Sequence, residues 1–135
     1  SSDLTPAVSH LTGELGADLG VVISASHNPM PDNGIKLLAA GGHKLADELE
    51  DAIEAQLLEE WQRPTGAAVG RVRDLPDATD RYVKHVLSTT SQSLEGLKIV
   101  VDAAHGAAYS ASPAVFRAAG ATVTTIGWVP LTSTK

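Results

Sequence analysis

Between Ile23 and Lys36 the chain reads ISASHNPMPDNGIK, and this segment holds the residues best suited to chemistry. Ser26 closely follows an apolar run, in a loop constrained by Pro29 and Pro31. Open α/β sheets receive ligands at the carboxyl ends of their strands, so Ser26 stands where a reacting group belongs. His27, Asn28 and nearby backbone N–H groups can donate hydrogen bonds to anionic oxygens. Asp32-Asn33-Gly34 reverses the chain, and the reversal can bring Lys36 back toward Ser26. A lysine in that place neutralises phosphate charge or shuttles a proton. Serine, asparagine and proline are also ordinary loop residues, so the segment by itself leaves a catalytic role and a plain turn both open. The nucleophile elbow of a serine hydrolase is disfavoured. It wants glycine two positions to either side of the serine, and Ser24 and Asn28 stand there instead.

The elements that would position these residues alternate between helix and strand. Thr5-Pro6 carries a helix-start signal, a capping hydroxyl followed by proline, and Gly16 offers the stop. Leu19 to Ser24 reads as a strand covered on both faces, because Val21, Val22 and Ile23 are consecutive and apolar. Ile35 to Ala40 resumes as a strand closed by Gly41-Gly42. Leu45, Leu49, Ala52, Ile53, Leu57 and Trp61 share one helical stripe that Pro64 ends, with carboxylates on the solvated face. Val69 to Arg73 reads as a short exposed strand. Asp77 and Asp80 form a capping pair for a helix through Leu87 that turns Tyr82, Val83 and Val86 inward. Ser88 to Ser93 is the expected linker. Beyond it come a buried strand at Leu97–Val101, a helix opened by Ser112-Pro113 and closed by Gly120, and a strand at Ala121–Ile126. That order makes a βαβ unit.

Composition narrows the function classes. The 135 residues fit one domain or slightly more, and 43% hydrophobic content can build a core. With aromatics at 4%, that core has to rest on Val, Ile, Leu and Ala. The net charge is −6 and no basic cluster occurs, which excludes nucleic acid and anionic membrane as natural partners. There is no cysteine, hence no disulfide and no thiolate–zinc site. No apolar run reaches the roughly 20 residues of a membrane span, and no secretory signal opens the chain. These absences fit a soluble cytoplasmic protein. The lack of an initiating Met suggests a fragment or a processed chain. His10 and His85 fall on helices with nothing to suggest metal ligation, and His43 reads as a surface or capping residue. His105-Gly106 lacks the glycine spacing of a dinucleotide fingerprint and reads as a structural turn. Trp61 and Trp128 read as packing residues.

ASHNP followed by DNGIK resembles the phosphoserine loop of the α-D-phosphohexomutase superfamily, and the serine and alanine ahead of Ser26 most resemble its phosphoglucosamine mutases. The likeness extends through Thr5-Pro6-Ala7, through Gly41-Gly42-His43-Lys44-Leu45, and through Ile99 to Ala107, to about Ile126. The resemblance implies an α/β fold with a mixed sheet flanked by helices. Residues 1–91 would hold most of the first domain of such an enzyme, and residues 92–135 the opening βαβ of the second. It implies interconversion of glucosamine 6-phosphate and glucosamine 1-phosphate, with a hexosamine phosphate as substrate. Ser26 would carry the phosphoryl group and Lys36 would do general acid/base work. His27 and Asn28 would belong to the phosphate loop. One magnesium ion per site would take an oxygen of the Ser26 phosphate as a ligand, its other ligands lying outside this chain. Several family features are missing: the aspartate-rich metal loop, the sugar-specificity loop, the C-terminal phosphate loop and the first strand of domain one. Residues 127–135 also depart from the family's continuation. The chain alone is accordingly expected to lack mutase activity. A phosphoglucomutase/phosphomannomutase is the alternative within the class, and a non-catalytic α/β module binding a phosphorylated ligand or a partner protein is the alternative outside it. Sugar preference and oligomeric state are not written in these residues.

Overall fold

The computed structural model describes residues 4–25, 29 and 31–128. Its first half is a helix laid on one face of a hairpin. Helix α1 spans Thr5–Glu14, strand β1 spans Leu19–Ser24 and strand β2 spans Gly34–Ala39. The helix begins one residue earlier than the Thr5-Pro6 signal suggests, with Leu4 at the cap position and no side-chain capping bond. Gly16 ends it as expected, taking the left-handed φ of +61° that a residue with a Cβ disfavours.

Small residues let α1 and the hairpin approach closely. A Cβ on Gly20 of β1 would overlap the hydroxyl of Thr12, which is buried and donates to the Val8 carbonyl at 2.7 Å. A Cβ on Gly13 would meet the Gly41 carbonyl oxygen at 3.0 Å, and Ser9 Oγ donates to the Gly42 carbonyl at 2.6 Å. Ser9 and Gly13 stand one turn apart on the same helix face, so the Gly41-Gly42 turn docks its backbone directly against α1. The turn then sends the chain back beside β2, with a bridge between Leu38 and Lys44 and a bond from the Ala39 N–H to the His43 carbonyl at 2.8 Å.

Gly42 is the tightest point. Its φ is +80°, and a Cβ there would run into the Ser9 carbonyl oxygen. Gly42→Ala is expected to lower unfolding stability by on the order of 2–4 kcal/mol, summing a left-handed penalty and an overpacking penalty. Gly66 is the control. It shares the left-handed backbone at φ +57° but meets nothing within 4 Å, so Gly66→Ala should cost only about 1 kcal/mol. Denaturant midpoints of the two variants measure the difference, and equal losses would contradict the packing explanation.

The second half is the βαβ unit. Helix α3 spans Ala78–Ser88, strand β3 Lys98–Asp102, helix α4 Ala111–Ala118 and strand β4 Thr122–Ile126. β3 and β4 pair in parallel, from Lys98 opposite Thr122 to Asp102 opposite Ile126, while β1 and β2 pair antiparallel. The α/β class is borne out, with its described strands in two two-stranded sheets. α3 packs against both α1 and α4 and thereby ties the halves together. The buried apolar residues are Ala7, Val22, Ala25, Leu38, Leu45, Ala111 and Ala121, the aliphatic core that the composition requires.

Four expectations are corrected. β1 is not covered on both faces. Gly20 and Val22 face α1, while Leu19, Val21 and Ile23 are exposed with Ile35 across from Ile23, since no described element lies over that side. β3 likewise alternates between half-buried and exposed residues. The stripe from Leu45 to Trp61 is only partly a helix. α2 spans Asp47–Gln56, and Leu49, Leu57 and Trp61 remain exposed. A helix this short draws its stability mainly from a packed apolar face, and without one it frays well before Pro64. Val69 to Arg73 is not a strand, because among the described residues no strand offers its backbone a ladder; a 3₁₀ turn at Gly66–Ala68 precedes it.

Candidate active site

The candidate site lies on the connection between strands β1 and β2. Register runs from Leu19 opposite Ala39 to Ser24 opposite Gly34, so the segment from Ala25 to Asn33 connects the last pair. Ala25 is buried and anchors the departure from β1. On the return side the Asp32 N–H donates to the Pro29 carbonyl at 2.9 Å, which closes the turn expected from the Pro and Asp-Asn-Gly signals. Gly34 then opens β2 rather than ending the loop. Ser26, His27 and Asn28 lie outside the described residues, as does Met30.

Lys36 is placed. It sits two residues into β2, exposed and opposite Val22. Paired residues share a face and alternate residues repeat it, so Lys36, Val22 and Ser24 lie on the side of the sheet that α1 covers. The chain reversal therefore sets Lys36 on the strand beside β1, while Ser26 itself lies outside the described residues. His43 is exposed, as a surface residue should be, and contributes its carbonyl rather than its ring to the turn. Among the described residues no cluster of three or more His, Asp or Glu side chains could hold a metal ion.

Sequence reasoning missed a polar seam between α1 and α3. The rings of His10 and His85 stack with centroids 3.8 Å apart, and His10 Nε2 lies 3.0 Å from Glu14 Oε2. Arg81 bridges Glu14 at 2.7 Å and Asp77 at 2.8 Å. Asp77 does stand at the cap position of α3, but it makes no capping bond because its carboxylate is engaged by Arg81. A cavity of about 430 Å³ opens here, lined by His10, Glu14, Arg81, Lys84, His85 and Ser88. The spacings His10–Glu14 and Asp77–Arg81 were the available signals, each four residues along a helix. Their meeting across the chain was not encoded locally.

The Arg81 hydrogen bond holds the Glu14 carboxyl below its usual range, against a smaller opposing effect of desolvation. A carboxyl lowered on folding stabilises above its unfolded pKa, and that contribution disappears as pH falls through the folded value. Unfolding stability should therefore drop slightly below about pH 4.5, the group's ordinary value. Glu14→Gln should remove that part of the pH dependence, and added salt should weaken it. Superimposable pH profiles for the two proteins would contradict the role of this ion pair.

Comparison with known proteins gives three findings. Residues 4–63 match the family model described as phosphoglucomutase/phosphomannomutase, alpha/beta/alpha domain I. The phosphoglucosamine mutase of Acidothermus cellulolyticus is 66% identical over 126 residues, covering 93% of this chain and 27% of the relative. That of Streptomyces coelicolor is 60% identical over 131 residues, covering 93% and 29%. The chain thus spans under a third of the length of the curated relatives it matches. Among solved structures, a phosphoglucomutase/phosphomannomutase family protein from Burkholderia thailandensis superposes with a TM-score of 0.60 at 25% identity, covering 84% of this chain and 23% of that one.

Proposed function

We propose that this chain is part of an enzyme of the phosphoglucomutase/phosphomannomutase family, which its residues 4–63 match, and that the polypeptide carrying it interconverts glucosamine 6-phosphate and glucosamine 1-phosphate, with Ser26 as the phosphoryl carrier. The observation that carries this reading is the hairpin. A loop containing Ser26, His27 and Asn28 leaves the carboxyl end of β1 and returns on β2 with Lys36 on the strand beside it. The relatives' names supply the sugar.

The chemistry balances on these residues. Phosphoserine 26 meets glucosamine 6-phosphate, and the free sugar oxygen forms a bond to phosphorus as the bond to Ser26 Oγ breaks. The sugar hydroxyl loses a proton and Oγ gains one, giving serine and a bisphosphorylated sugar. Lys36 is our candidate to carry that proton. The sugar turns over, Oγ takes the other phosphoryl group, and the proton returns. His27, Asn28 and their backbone N–H groups would hold the phosphoryl oxygens, since phosphoryl transfer depends on position and charge more than on covalent chemistry. Magnesium, bound through an oxygen of the Ser26 phosphate and through ligands elsewhere in the polypeptide, would withdraw charge from phosphorus.

Residues 1–91 form part of the first domain on this reading, residues 92–135 open the second, and the boundary falls in the Ser-rich stretch after α3. A cytoplasmic location fits a phosphosugar substrate, and no helix among the described residues is long and apolar enough to cross a membrane. The family description leaves glucose and mannose phosphates as the second reading. Coupled assays of the full-length polypeptide with glucosamine, glucose and mannose phosphates decide between them. Turnover of the glucosamine phosphates at least about tenfold more efficient than the others is expected, and a reversed order would overturn the sugar assignment.

A further inference from the structure

At the carboxyl end of β3 the backbone leaves ordinary geometry twice in succession. Ala104 and His105 hold φ of +46° and +55°, and among the described residues they are the only non-glycine residues with positive φ. A Cβ makes that region unfavourable, so the conformation must be imposed by its surroundings. The restraints come from both parallel strands. Asp102 Oδ1 accepts from the Ala104 N–H at 2.8 Å, and the His105 N–H donates to the Gly127 carbonyl, just past β4, at 2.6 Å. The Gly106 N–H donates to the Ala103 carbonyl at 2.7 Å. Gly127 is itself left-handed at φ +55°, and a Cβ there would stand 2.6 Å from Asp102 Oδ1 and 3.2 Å from the Ala104 nitrogen. Gly106 is buried beneath the loop, while Ala104 and His105 are exposed.

The sequence reading of this stretch as a structural turn is correct as far as it goes. A turn alone, however, is built with less strain by glycine at both left-handed positions. Strain that persists because neighbouring groups enforce it gathers where a side chain must be presented to a ligand. The loop also occupies the carboxyl ends of parallel strands, where open α/β sheets receive ligands.

We propose that the loop Asp102–Gly106 contacts the sugar phosphate, with the His105 imidazole hydrogen-bonded to an oxygen of the bound substrate. This rests on the mutase reading above and adds a substrate contact supplied by the second half of the chain.

The test compares His105→Gly with His105→Ala in the full-length polypeptide, using glucosamine 6-phosphate as the probe. Glycine accepts the left-handed backbone, and alanine retains the strain. If His105 serves the turn alone, His105→Gly keeps both its unfolding midpoint and its kcat/KM. The substrate-contact role predicts that His105→Gly keeps its unfolding midpoint while kcat/KM falls about tenfold or more, and that His105→Ala shows the same kinetic loss. A kcat/KM for His105→Gly within about twofold of the unsubstituted protein would overturn the proposal while leaving the mutase reading intact. An unsubstituted protein without mutase activity would overturn both.

Discussion

Ser26→Ala in the full-length polypeptide is expected to abolish mutase turnover, by roughly four orders of magnitude or more. The size follows from the role assigned to the hydroxyl. A covalent carrier splits one difficult exchange into two transfers, and without Oγ the phosphoryl group has no place to rest between the two sugar positions. Nothing else in the loop offers an equivalent oxygen in the same position, because Ser24 is committed to β1, opposite Gly34. The fold should be untouched, since the described ends of the connection are held by the Pro29–Asp32 bond and by buried Ala25. Loss of activity with an unchanged unfolding midpoint is therefore the diagnostic pair, measured by coupled assay and by denaturant titration. Residual turnover above a few per cent would remove Ser26 from the reaction.

Lys36→Ala should cost about 10²- to 10⁴-fold in kcat, the range for losing a positioned proton carrier. Arginine separates the two things a lysine can do here. It keeps the positive charge but holds its proton at any accessible pH. If Lys36 moves the proton between the sugar hydroxyl and Oγ, Lys36→Arg stays nearly as impaired as Lys36→Ala. If Lys36 only balances phosphate charge, Lys36→Arg recovers most of the activity. The first outcome is expected. The exposed position of Lys36 on β2 means that neither substitution disturbs a packed core, so changes in kcat can be read as chemistry.

Local signals were enough for much of this. The strand at Leu19–Ser24, the reversal at Asp32-Asn33-Gly34 and the return with Lys36 were legible because each rests on nearest-neighbour chemistry: consecutive apolar residues, proline and glycine punctuation, and the two-residue alternation of a strand. The βαβ order from Lys98 to Ile126 was legible for the same reason, with Pro113 in the first turn of α4 and Gly120 beyond its end at φ +104°. What a run of apolar residues could not say was whether anything would cover it. Val21 and Ile23 read as buried on both faces, yet only the Val22 side meets a helix. Leu49, Leu57 and Trp61 form a sound helical stripe that has no described partner, and the helix stops at Gln56. Covering a face requires two distant segments, and spacing within one segment carries no information about the other.

The glycines and charges of the first half make the same point. Gly41-Gly42 was legible as a strand end, but its close docking on Ser9 and Gly13 depends on α1 lying across the hairpin. Asp77 was legible as a helix cap, yet its carboxylate went to Arg81, because Glu14 on α1 had already fixed the guanidinium in reach. His10 and His85 looked unremarkable on separate helices and turned out to be stacked on one another. In each case a local preference was decided by a contact between distant segments.

The most direct measurement is phosphopeptide mass spectrometry of the full-length polypeptide, before and after incubation with glucosamine 1-phosphate carrying a labelled phosphoryl group. The account predicts phosphate on Ser26 in the resting protein and appearance of the label on that same residue. A mutase-active protein with Ser26 unmodified throughout, or with the label on any other residue, would contradict it.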